Sequence, residues 1–155
     1  GYINPPYQPS FGTIGYLDGT FYFTVVHEVA GHALGLLGDE YGHNQTTPTS
    51  GAIETIHYGH RVGTHLNLSL TDDPASVPWA HLIGDSRFPD VGIYRGGSNY
   101  LYGVWHASPR CIMNSSPNWP YFDTVCRELL VRRILTLAGE EYTFEKFLEN
   151  DKMDY

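Results

Sequence analysis

The longest apolar block of the chain begins after Thr20. Phe21, Tyr22, Phe23, Val25, Val26, Val29, Ala30, Ala33, Leu34, Leu36 and Leu37 follow with few polar interruptions. A segment apolar on most sides predicts a buried helix, here at about 21–37. Asp18 or Thr20 is placed to cap its start and Gly38 to stop it. A second helix is expected at about 123–138, where Val125, Leu129, Leu130, Ile134 and Leu137 recur at helical spacing between a capping Asp123 and a terminating Gly139. A short third helix is expected at 143–149. Residues 42–75 are rich in Thr, Pro, Ser, Gly and Asn and read as a long irregular connection, with short strands near 52–58 and 65–70. A short helix near 77–82 follows, then strands at 91–94 and 100–105 flanking a turn at Gly96 and Gly97. Residues 1–19, with Tyr2, Tyr7, Phe11 and Tyr16 among Pro and Gly, read as loop with one strand near 14–17. No repeat or linker divides the 155 residues, so the pattern predicts one α+β domain.

Composition narrows the partners. Nine Lys and Arg stand against 17 Asp and Glu, a net charge of −8. That surplus argues against nucleic acid and anionic membranes, which both need clustered basic residues. No apolar run approaches the roughly 20 residues of a membrane span. The two cysteines, Cys111 and Cys126, make no disulfide framework. A disulfide between them and a pair of buried thiols are both compatible with the sequence.

The chemistry is concentrated in the first helix, where His27, Glu28 and His32 interrupt the apolar block. Three ionisable groups in a buried helix are costly unless something satisfies them. A divalent metal suits them, because zinc takes neutral imidazole nitrogens and a neighbouring carboxylate can serve as general base. Helical zinc motifs usually place the second His at i+4, whereas His27 and His32 are five apart. At 3.6 residues per turn, i+5 lies about 140° from the starting direction. A π-bulge between Glu28 and His32 would restore a shared face. A pair of hydrogen-bonded core histidines is the bland alternative. Asp39, seven residues past His32, is the expected third ligand, with His43 competing and Glu40 as a supporting contact.

The run His27-Glu28-Val29-Ala30-Gly31-His32, followed by Gly38-Asp39-Glu40-Tyr41, resembles the active-site helix of the IgA-peptidase family of zinc metallopeptidases. Cys111-Ile112-Met113-Asn114, then Phe122, Val125-Cys126-Arg127-Glu128 and Arg132-Arg133-Ile134, is similar to two later segments of that family. Asp73-Pro74, Pro78-Trp79-Ala80 and the stretch from Val91 to Tyr94 with Gly96 and Gly97 lie between them in the same order. The resemblance implies a metzincin-like catalytic domain, represented mainly by its active-site helix and lower, C-terminal subdomain with long irregular loops. It implies Zn2+ held by His27, His32 and Asp39, Glu28 as general base, and Met113 as the methionine of a tight turn beneath the metal. The implied activity is endoproteolysis of secreted or host proteins, by a bacterial protein that is secreted, periplasmic or at the cell surface. Metzincin-like domains build a sheet before this helix, so completion by upstream sequence is expected.

The chain departs from the family in the extra residue between Glu28 and His32. Dipeptidyl peptidases with a similar expanded motif use a downstream Glu as third ligand, for which Glu140 and Glu141 are the nearest analogues. His106 stands where the family often has Arg, and reads as a surface residue. Tyr102 and Tyr121 are candidates to stabilise an oxyanion. Asn44, Asn67 and Asn114 match the glycosylation pattern. Arg127, Arg132 and Arg133 read as a solvated helix face, with Glu128 as a partner. The competing readings are a closed structural zinc site and a non-catalytic module, in which Trp79, Trp105 and Trp119 would grip protein or glycan.

Overall fold

The computed structural model describes residues 21–114 and 119–151. It is α+β, combining helices with one small antiparallel sheet. The strand expected at 14–17, the loop at 1–19 and the caps Asp18 and Thr20 lie outside the described residues. Among those described, no helix is long and apolar enough to cross a membrane.

Helix α1 (Phe21–Val25) runs directly into a π-helix over Val26–Leu34. The helix stops three residues before the expected 37, at a cap on Gly35. Leu36 then takes a left-handed φ of 56°. That reversal drives Leu37 into the core, where it is fully buried.

The connection at 42–75 is less irregular than expected. Helix α2 (Ser50–Val62) occupies the place of the strand expected at 52–58. The Thr49 side chain accepts from the Ala52 amide at its start, and Gly63 closes it at φ 79°. Only Ile56 and Gly59 of α2 are buried, so its apolar signal was thin and its β-branched residues read as strand. The strand expected near 65–70 shortens to β1 (Leu68–Ser69).

The hairpin strands are β2 (Tyr94–Gly97) and β3 (Tyr100–His106), and the sheet order is β1-β3-β2, antiparallel throughout. The turn is at Ser98 and Asn99, with φ of 48° and 69°. Two left-handed residues match the twist of a two-residue hairpin. Gly96 and Gly97 lie instead within β2, where the register shifts. A Cβ on Gly97 would come within 2.8 Å of both Leu68 and Val104. Gly97 therefore serves close packing rather than the turn, and Gly96 supplies a φ of 125° within the strand. The short helix expected at 77–82 contracts to a 3-10 turn at Ala80–Leu82. Pro78 lacks an amide donor, while Val77 and Trp79 are buried.

Helix α3 (Thr124–Leu137) matches expectation, with Asp123 accepting from the Cys126 amide at 2.8 Å. Helix α4 (Phe144–Asn150) is capped by Thr143. Arg127 is not solvated: it pairs with Asp151 and donates to the Phe122 carbonyl. Glu128 is buried, and its partners are His81 and the Tyr142 hydroxyl. A core of Leu37, Cys111, Ile112, Met113 and Cys126, flanked by Phe23, Val26 and Phe122, lies beneath the π-helix.

Candidate metal centre

The π-helix places residues five apart on one side, which reconciles His27 with His32. Their rings meet nearly edge to face, centroids 4.9 Å apart. Gly31 lets Met113 approach the π-helix from below. A Cβ there would fall 2.3 Å from the Met113 sulfur, so Met113, itself fully buried, packs directly against the bare backbone of the π-helix.

Both imidazoles are oriented by backbone carbonyls. His27 Nδ1–H donates to the Ile112 carbonyl at 2.9 Å, and His32 Nδ1–H to the Leu37 carbonyl at 2.8 Å. The two Nε2 atoms then converge on one carboxylate oxygen, Asp39 Oδ1, at 3.0 and 3.1 Å. The donor atoms of the three residues all lie within 4.8 Å of one another. A neutral imidazole that donates from Nδ1 presents a lone pair at Nε2. Two such lone pairs facing a carboxylate repel unless protons or a cation lie between them.

Without a metal, protons fill that role. Burial lowers the affinity of His27 and His32 for protons, but their bonds to Asp39 and the backbone outweigh it and raise both above the ordinary value. Burial pushes Asp39 the other way, yet the two imidazoles hold its carboxyl well below the usual carboxylate range. Nearby His65 behaves oppositely, pushed down to about 4 by burial and the charge of His32.

The cluster opens to one side. The Asp39 and His32 side chains are 29 % and 21 % exposed, against 8 % for His27. They meet an open pocket of about 580 Å³ whose wall includes Tyr41, His43, His65 and Asn99. His43 borders the pocket but is exposed and stacked on Tyr41, outside the three-residue group. Glu28 is partly exposed, and its charge reaches both His32 and Tyr41.

Tyr41 is the neighbour that the sequence reading passed over. Burial and the Asp39 carboxylate, to which its phenol hydrogen-bonds, push it up to about 12. Its position two residues beyond Asp39 was the available signal. Tyr121 is 51 % exposed and Tyr102 lies under the Arg95 guanidinium, and neither borders this pocket. Glu140 and Glu141 are exposed, with Glu140 paired to Lys146.

Immediately after Asp39 the chain turns inward. Glu40 is fully buried and accepts from the Asn67 amide at 2.9 Å. Asn67 also bonds the amide and carbonyl of Gly38, so this fully buried side chain is no site for a glycan. His106, expected at the surface, is buried, its Nδ1 3.7 Å from Glu40 Oε2. Cys111 and Cys126 are free, buried thiols with sulfurs 3.7 Å apart. Burial pushes the Cys111 thiol up to about 12, and burial with the neighbouring Glu40 pushes Asp123 up to about 7. Trp79 is likewise buried, its indole donating to the Gly92 carbonyl, and is not available to grip a ligand.

No family model matches the chain, and no curated protein matches it.

Proposed function

We propose that the chain is the zinc-binding, peptide-hydrolysing part of a metallopeptidase of the IgA-peptidase type, with a metzincin-like architecture. The observation that carries this reading is the single Asp39 oxygen shared by two Nε2 atoms, each on a ring whose Nδ1 is already committed to a backbone carbonyl. Such outer hydrogen bonds are the usual means of fixing a metal-binding imidazole. Three donors, two of them partly exposed, suit an open site rather than a closed structural one.

His27, His32 and Asp39 would hold the ion. When bound, zinc supplies Lewis acidity and lowers the pKa of water to about 7. The Glu28 carboxylate, next in sequence to His27, takes the proton of the attacking water and passes it to the departing amine of the peptide. The Tyr41 hydroxyl, which lines the pocket and bonds Asp39, would become a donor to a developing oxyanion once Asp39 turns to the ion. Met113 supplies an adaptable floor beneath Gly31. The substrate class is protein or peptide, met outside the cytoplasm of a bacterium.

A peptide-library digestion with and without chelator tests the reading. Cleavage is expected to stop with chelator, return with zinc, and be absent in Glu28→Ala while that variant still binds zinc. Cleavage indifferent to both treatments would overturn it.

A further inference from the structure

We infer that Glu40, Cys111, Asp123 and Cys126 form a second metal site, closed and structural, for zinc or another thiophilic divalent cation. One donor atom from each residue lies within 4.8 Å of the others, and all four residues are buried. The site is distinct from the His27 cluster and does not depend on the peptidase reading.

Three features fit this cluster to a metal ion. The first is the sulfur spacing. A disulfide needs about 2.05 Å, and the observed 3.7 Å is far too long. Two thiolates bound tetrahedrally at about 2.3 Å stand about 3.8 Å apart. The second is the bonding around Cys111. Its sulfur accepts the backbone amides of Met113 and Asp123, both at 3.4 Å. Amides directed at a sulfur stabilise a thiolate. The third is unspent acceptor capacity. Glu40 Oε2 and Asp123 Oδ2 are buried without a hydrogen-bond partner, although Glu40 Oε1 accepts from Asn67 and from the Cys126 thiol, and Asp123 Oδ1 from the Cys126 amide. Two buried carboxylate oxygens without a hydrogen bond are costly, with only the His106 ring near Glu40 Oε2, at 3.7 Å, and a cation bound with the two sulfurs satisfies both.

The charges balance as in known closed sites. Binding releases to solvent one proton from each thiol and any proton held by Asp123, whose carboxyl is pushed up to about 7. Two thiolates and two carboxylates around a divalent ion carry a net charge of −2, the same as a four-cysteine zinc site. The amides of Met113, Asp123 and Cys126 and the Asn67 side chain offset that charge. The ion would tie together the segment leaving the π-helix, the Met113 turn and the start of α3. The Glu40 amide already donates to the Met113 carbonyl at 2.8 Å across the first two.

The test is metal content and cobalt substitution on the full chain. Two equivalents of zinc are expected, one removed by mild chelation and the other released only when a mercurial blocks the thiols. Cobalt(II) loading should give a near-ultraviolet sulfur-to-cobalt charge-transfer band. The His27 cluster contains no sulfur donor, so the band should persist in His27→Ala. Cys111→Ser with Cys126→Ser should lose one equivalent and the band. If that variant fails to fold, the band in the wild-type protein decides. A single equivalent with no such band would overturn the inference while leaving the His27 site standing. So would a thiol titration of the denatured, freshly purified protein that finds both cysteines oxidised.

Discussion

Asp39 and Glu40 are joined by one peptide bond and live in opposite environments. Asp39 keeps 29 % of its side chain in contact with solvent and faces two imidazoles, while Glu40 is sealed among thiols, Asn67 and His106. The open cluster can exchange ligands and water, as chemistry requires. The sealed one can only hold. On the proposed reading, two acidic residues in a row divide the labour of reactivity and support, and their different environments follow from which way the chain turns after Leu36 rather than from their charges.

The largest effect that sharpens this contrast is at Glu28. Glu28→Ala should lower peptide cleavage by about 10²–10⁴-fold with zinc retained, whereas Asp39→Ala should lose the exchangeable zinc as well, read by metal analysis. Next is the packing beneath the open cluster. Gly31→Ala drives a methyl into the Met113 sulfur and should cost about 1–3 kcal/mol in denaturant unfolding. The same substitution in a Met113→Ala background should cost almost nothing, because the clash is gone. On the sealed side, Asn67→Ala strips Glu40 and Gly38 of buried partners and should cost about 1–3 kcal/mol without changing cleavage chemistry directly.

A smaller effect concerns pH in the metal-free protein. His27 and His32 are raised above 6.5, so their bond to Asp39 stabilises fully below that value and is lost as pH climbs through the raised pKa. Asp39 is lowered from 3.8, so its share is present above that value and lost as pH falls. The stability difference between wild type and Asp39→Asn should therefore plateau between 3.8 and 6.5 and shrink on both sides. NMR titration should show His65 near 4, well below the pair. Zinc competes with those protons, so its affinity should rise with pH. The smallest change is expected from deleting Ala30, which returns the two His to i+4. The π-helix should relax to a regular helix with zinc affinity held within about tenfold, measured by competition with a chromophoric chelator.

Much of this was legible because it is local. Five-residue spacing between two His in an apolar run implied a wider helix, and the wider helix is present. Asp123 ahead of a helical stripe identified a cap. What escaped was decided at a distance. His106 looks like any strand residue, and its burial beside Glu40 is a contact between distant stretches of the chain. Helix α2 buries only two residues, so its periodicity carried little signal. Two glycines suggested a turn that Ser98 and Asn99 make instead, because Leu68 and Val104 press against Gly97.

The separations along the chain also differ between the two clusters. His27 and Asp39 are 12 residues apart, while Glu40 and Cys126 are 86 apart. Closing the longer loop costs about 2 kcal/mol more in chain entropy. The two Nε2 contacts to Asp39 can therefore form early, on a nascent or partly unfolded polypeptide, but the Ile112 carbonyl that orients His27 arrives from 85 residues away, and the thiol pocket closes only when α3 docks. If both proposed sites take metal, the ion at the histidines would be gripped loosely first, and both ions would be fixed only once the Met113 turn and α3 are in place.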